Sequence, residues 1–322
     1  MQSIYNALAV PFGYVMHFFY SFSENYILSL FLLVLIVRLI LLPSAMSQQK
    51  NSAKQIRLQP KINRIRQRYS NGGSPTREQQ MKIQEETQAL YQKEGYSATS
   101  GGCLSLLIQF PVMMGLYGVV YTPISKVLRI ASDTVAAAAE ALGIATTSSS
   151  GLQRYEIEML SAITSDNMPS VFSEYADEIL KLKDQFMLFG KIDLTQTPSW
   201  REPGLIWIIP LLAFAFSMLS SILMYKKQRQ TNPEMAKNPS MGCMTFMSPF
   251  MSLIFTFMFP AGVGVYWILS SMCTFIQTLV LNYSHSPQKV IANAMIDETV
   301  ERRSREASIK KLKEFSDKNS DN

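Results

Sequence analysis

Histidine and cysteine are scarce in this chain, two and three among 322 residues. His17 and His285 have no plausible co-ligands nearby, so no metal centre is expected. Cys103, Cys243 and Cys273 open, adjoin or lie within apolar runs, where a thiol serves as a small apolar filler rather than half of a disulfide framework. There is no phosphate-binding glycine loop and no nucleophile–base pair in the apolar runs, so neither an ATPase nor an enzyme acting at the membrane is expected, and no cofactor. Charge is thin as well: 17% of residues are charged against 48% hydrophobic, with a mean hydropathy of +0.08. That is too apolar for an ordinary soluble protein.

The apolar residues come in blocks at 26–42, 103–121, 204–225, 243–259 and 262–281. Each is near the ~20 residues a helix needs to cross ~30 Å of hydrocarbon. The expected class is all-α: a polytopic membrane protein with a five-helix transmembrane core and a cytoplasmic helical hairpin. Charge sets the orientation. Residues 47–100 carry ten Lys/Arg against four Glu, and 226–241 carry four against one. Residues 123–200 carry six Lys/Arg against ten Asp/Glu, and the first 27 residues have no Lys or Arg. By the positive-inside rule the basic loops are cytoplasmic, the N-terminus is outside and the C-terminus is inside.

The expected organisation is an interfacial amphipathic helix at 1–25, with Ile4, Leu8, Phe12, Val15, Phe19 and Phe22 at helical spacing. Spans follow at 26–45 and 101–122, separated by a basic helical hairpin at 46–100. Within the hairpin, Leu58, Ile62, Ile65 and Tyr69 face Ile83, Thr87 and Leu90 in two-helix seam spacing, with a turn at 71–75, Ser74 as N-cap and a kink at Pro60. An extracytoplasmic helical segment fills 123–201, with a flexible break near 146–151. Spans at 202–225, 242–259 and 260–282 flank a short cytoplasmic loop at 226–241, and a cytoplasmic tail fills 283–322.

Arg38 is the only charged residue in any of the five runs, and no carboxylate lies within them to neutralise it. A cation at membrane depth costs roughly 2.5–3.5 kcal/mol on insertion scales. Snorkelling to the cytoplasmic head groups is one way to meet that cost; a hydrated groove visited by an anionic partner is the other. Gln109, and a stripe of Tyr266, Ser270, Thr274 and Gln277 at spacings of four, four and three, offer polar groups at comparable depth. Such residues also serve as glue between helices. Methionine is frequent, 19 residues, either as packing or as an adaptable apolar surface.

LIVRLILLP at 35–43, IRLQPKINRIRQRY at 56–69, GGCLSLLIQFP at 101–111, MTFMSPF at 244–250 and FPAGVGVYWILSS at 259–271 resemble signature stretches of the YidC/Oxa family of membrane protein insertases, in that family's order. The resemblance implies a bacterial plasma-membrane insertase and chaperone of the shorter form, without a large outer domain. Arg38 and Gln109 would line a hydrophilic substrate groove, and Val34 and Trp267 would lie on a substrate slide. It implies action without ATP on nascent membrane proteins, with the ribosome and a Sec-type translocon as candidate partners and no small-molecule substrate. The basic hairpin would meet anionic lipid or ribosomal RNA. Ser105, Val34 and Trp267 depart from residues common in the family, and the tail lacks a strongly basic extension. A solute transporter using Arg38 to bind an anion is the rival reading, disfavoured because the spans show no repeat.

Overall fold

The structure, a computed structural model, describes residues 2–69, 76–94, 103–146, 155–231, 239–284, 292, 296, 299–300 and 302–309; for 2–7, 50, 52–56, 59, 103–110, 227–228, 231, 239–244, 282 and 284 it describes the backbone alone. Within those residues it is almost wholly helical.

Helix α1 (Gln2–Ser23) is followed at once by α2 (Tyr26–Ile40). The chain reverses at Glu24, whose φ of 48° lies in the left-handed region. Asn25 then caps α2, its side chain accepting the Leu28 N–H at 2.9 Å. Helix α2 runs into α3 (Leu42–Tyr69) through a 51° bend at Leu41. Pro43 suits that bend, because it has no N–H to leave unpaired in the first turn of the new helix.

Helix α4 (Arg77–Lys93) returns along α3. Leu58 and Ile62 are buried against Leu90 and Tyr91, and the pairs Lys61–Glu94 and Tyr69–Glu86 fix the antiparallel register. The cap of α4 differs from expectation: Thr76, not Ser74, is the N-cap. A reciprocal box needs an acceptor three residues on, and Gln79 supplies it, taking the Thr76 N–H at 2.8 Å; Ser74 has only Arg77 there. Helix α3 remains helical through Pro60. The turn expected at 71–75 and most of the break at 146–151 lie outside the described residues.

Helix α5 (Cys103–Tyr121) leads into a cap at one end of the helices. The cap comprises α6 (Pro123–Lys126), α7 (Ser132–Ala141), α8 (Tyr155–Ala162), a 3-10 turn (Ser170–Tyr175), α9 (Ala176–Gln185) and an antiparallel hairpin of β1 (Met187–Leu188) and β2 (Ile192–Asp193). Its core, including Val135, Ala138, Leu160, Phe172 and Leu182, is continuous with that of the helices beneath it. Helices α10 (Ile208–Thr231), α11 (Pro239–Met258) and α12 (Ala261–Ser284) complete the chain. The first N–H groups of α12 find no partners within their own helix. The cap supplies them: Gln196 O accepts from Ala261 and Leu194 O from Gly262, both at 2.8 Å. At Gly264, an added Cβ would lie 2.5 Å from Ile209 Cγ2, so bare backbone lets α12 approach α10 closely.

Among the described residues, two helical stretches are long and apolar enough to cross a membrane, Leu205–Lys226 and Ala261–Leu281, and the bent pair Tyr26–Ile40 with Leu42–Gln49 makes a third if it is one span. Pro111–Tyr121 and Thr245–Met258 are shorter apolar stretches of α5 and α11 among the described residues. Helix α1 buries Ala9, Gly13, Met16 and Phe19, while Val10, Tyr14, Phe18 and Phe22 form an exposed apolar stripe at spacings of four.

Candidate functional site

Arg38 sits two residues before the end of α2, and its side chain turns inward. Nη2 donates to Ser270 Oγ at 2.5 Å and lies 3.4 Å from Ser270 O. Helix geometry explains the direction. Side chains lean toward the N-terminus of their own helix, which for α2 is the cap end. Ser270 lies nine residues into α12, roughly 14 Å from the cap end of that helix at 1.5 Å per residue. The guanidinium is therefore held inside the bundle and not extended toward the end where α3 begins. Among the described residues it forms no ion pair.

Val34, Val37, Arg38, Leu41, Val112, Leu116, Tyr266 and Ser270 line one small cleft between α2, α5 and α12. Its volume is about 10 Å³, room for about one water molecule. A guanidinium carries five N–H donors, and the contacts to Ser270 engage Nη2 alone.

The sequence-derived residues fall into three groups. Arg38, Val34, Tyr266 and Ser270 come together in the cleft. Thr274 continues along the same helix, but its hydroxyl donates to Ser270 O at 2.7 Å and so is engaged with its own backbone; Gln277, half-buried one turn further on, is not part of the lining. Gln109 belongs to α5, and its side chain lies outside the described residues. Trp267 is not part of the cleft lining: it packs in an aromatic group with Tyr117, Phe255 and Phe259 at centroid distances of 5.8–6.3 Å. Val34 itself is buried. The lining residues Val37, Leu41, Val112 and Leu116 carry no sequence signal, because they look like any other apolar residue of a span.

Lipid-facing surface is concentrated on α10 and α11, where Leu211, Leu219, Met224, Met247, Met251 and Met258 are exposed. At the cap end, Trp200 stacks on Phe257 at 3.6 Å and Trp207 packs edge-on to both. Amphipathic rings suit the boundary between hydrocarbon and water. Among the described residues, no group of three or more His, Cys, Asp or Glu gathers to hold a metal.

Apolar helices of membrane-crossing length, bundled around an inward-turned cation, define a polytopic α-helical membrane protein. The family described as 60Kd inner membrane protein matches residues 18–289, and the chain belongs to that family. Among its relatives is "Membrane protein insertase YidC 2" of Listeria innocua, 24% identical over 90% of this chain and 77% of the relative. Another is "Membrane protein insertase MisCA" of Bacillus subtilis, 25% identical over 80% of this chain and 71% of the relative. "Membrane protein insertase YidC" of Rickettsia bellii is 25% identical over 84% of this chain and 38% of its own length.

Proposed function

We propose that this chain is a membrane protein insertase and chaperone. A nascent membrane protein brings the polar, often acidic, tail that must reach the far side into the cleft at Arg38, and its apolar segment passes into lipid. The observation that carries this reading is the Arg38 guanidinium, directed into the bundle and bonded there to the neutral Ser270. A visiting carboxylate would replace a neutral partner by a charged one, a bond roughly twice as strong. Release is easy because the contact is one pair. A potential of 100 mV contributes about 2.3 kcal/mol per charge, enough to draw an acidic tail outward without ATP hydrolysis.

In this proposal the basic hairpin α3–α4 and the 226–241 loop are cytoplasmic, the cap and N-terminus are outside, and five spans form the core. Gln109, Tyr266, Ser270, Thr274 and Gln277 give the tail a polar path. The exposed apolar faces of α10 and α11, with Trp267, receive the apolar segment, and Val34 joins them when the cleft widens. The +6 loop at 47–100 is suited to anionic lipid or ribosomal RNA, and a Sec-type channel remains a candidate partner.

The test is insertion of a short single-span client with an acidic outer tail into vesicles containing the purified protein. Arg38→Lys should retain most activity, because positive charge is what is required. Arg38→Ala should lower insertion about tenfold, the order expected for losing a hydrogen bond to a charged group, and should spare a client with a neutral tail. Equal insertion by Arg38→Ala and wild type would overturn the proposal, and solute flux without insertion would support a transporter.

A further inference from the structure

A second cationic site lies at the cap end, away from the cleft. Lys126 closes α6, and Arg129 follows three residues later. Both pack on α1. The Lys126 stem lies across Gly13, where an added Cβ would be 3.2 Å from Lys126 Cβ and Cδ, so the bare backbone there lets the stem pack closely. Arg129 has a φ of 63°, left-handed backbone that non-glycine residues adopt at a cost, and its guanidinium stacks 3.9 Å above the Tyr14 ring. His17 pins the same loop to α1, Nδ1 lying 2.8 Å from Val127 O.

Neither cation meets a carboxylate within ion-pair distance among the described residues. Glu156, whose charge acts on Lys126 through space, is buried and committed to Ser125. Cations this close to the outer end of a span run against the positive-inside bias. Beside them runs the exposed apolar stripe of Val10, Tyr14, Phe18 and Phe22, a surface fit for acyl chains and not for water.

We propose that Lys126 and Arg129 bind the phosphate of an anionic phospholipid in the outer leaflet, with its acyl chains laid along the Val10–Phe22 stripe. The leaflet follows from the orientation proposed above; the binding itself does not depend on it. Gly13 and the left-handed Arg129 aim both cations along one side of α1, and a phosphodiester flanked by hydrocarbon matches that pairing of charge and apolar surface. The bound lipid would tie α1 to the loop between α6 and α7.

The experiment uses the purified full chain in neutral detergent, with retained lipid counted by native mass spectrometry and thermal unfolding followed after adding phosphatidylglycerol, phosphatidylcholine or inorganic phosphate. Wild type should retain phosphatidylglycerol and unfold at higher temperature with it than with phosphatidylcholine. The variant Lys126→Gln with Arg129→Asn, in which Asn accepts the left-handed backbone, should bind phosphatidylglycerol about thirtyfold more weakly, at ~1 kcal/mol for each of the two basic residues, with phosphatidylcholine binding unchanged. Lys126→Gln alone should give part of that loss, which keeps the test decisive if the double variant unfolds. Arg38→Ala should retain the lipid, so failure here and failure of the insertase reading are separable. Undiminished phosphatidylglycerol binding by the folded double variant would overturn the proposal. So would an equal stabilisation by inorganic phosphate, or displacement of the lipid by an acidic client tail.

Discussion

Arg38 and Glu156 meet their surroundings in different ways. Arg38 reaches into the cleft between α2, α5 and α12, where it is bonded to the neutral Ser270, and is the group on which the proposed activity turns. Glu156 is buried in the cap, where burial pushes its carboxyl up to about 7 even though the Ser125 N–H and hydroxyl donate to it at 3.0 and 2.6 Å. A raised carboxyl stabilises the fold fully at pH values below its ordinary range near 4.5, and that contribution is lost as pH rises through about 7. Wild type should therefore unfold at a lower temperature at pH 8.5 than at pH 5.5. Glu156→Gln should flatten that dependence and raise the unfolding temperature at pH 8.5, corresponding to a gain in stability of up to ~3 kcal/mol for such a displacement. Thermal scans in detergent from pH 5 to 9 check this; a variant as pH-dependent as wild type would contradict it. Glu156 gave no warning in the sequence, because an acidic residue in a short helix reads as solvent-facing until the packing around it is known.

At the scale of single elements, close approach is what defines α1. At Gly115 of α5 an added Cβ would collide with the Phe12 ring and stand 3.0 Å from Leu8 O, so the two helices touch through bare backbone. Gly115→Ala should cost about 1–3 kcal/mol, the range for overpacking a tight contact. Adding Phe12→Ala should recover part of the loss, a coupling that a double-mutant cycle in thermal unfolding would measure. Full additivity would show that the contact does not form. Helical spacing marked α1 as a helix in the sequence and left its partner open. The hairpin α3–α4 was more legible, since its seam residues recur at fixed intervals. The cap of α4 was read two residues early, because Ser-Pro is a strong local start and the box between Thr76 and Gln79 competes with it successfully.

Across the whole molecule, the cap and the helices beneath it are joined at a few polar points and one shared core. Gln185 is one such point. Its Oε1 accepts the Tyr26 N–H at 2.7 Å, and its Nε2 donates to Glu24 O at 2.8 Å, closing the turn between α1 and α2 from 159 residues away. Gln185→Leu should leave the N–H of the buried Tyr26 unpaired, at about 1–3 kcal/mol, while Glu24 O, at an exposed residue, is open to water. Hydrogen exchange should then quicken in the first turn of α2 and in α9, with α3–α4 unchanged. No increase at Tyr26 would show that water replaces the clip without cost.

Hydropathy and charge placement, read along the chain, determined that this is an all-helical membrane protein, and the stretches at 35–43, 56–69, 101–111, 244–250 and 259–271 carried the resemblance to its family. These are local quantities: a run of twenty apolar residues must find lipid wherever its neighbours end up. The tertiary structure decided which way Arg38 points, that Ser270 meets it while Trp267 stands elsewhere, that Val34 is enclosed, and that Lys126 and Arg129 lie against α1. Those outcomes depend on the direction of each helix and on where glycine lets backbones touch, which residues far apart in sequence settle only when they pack together.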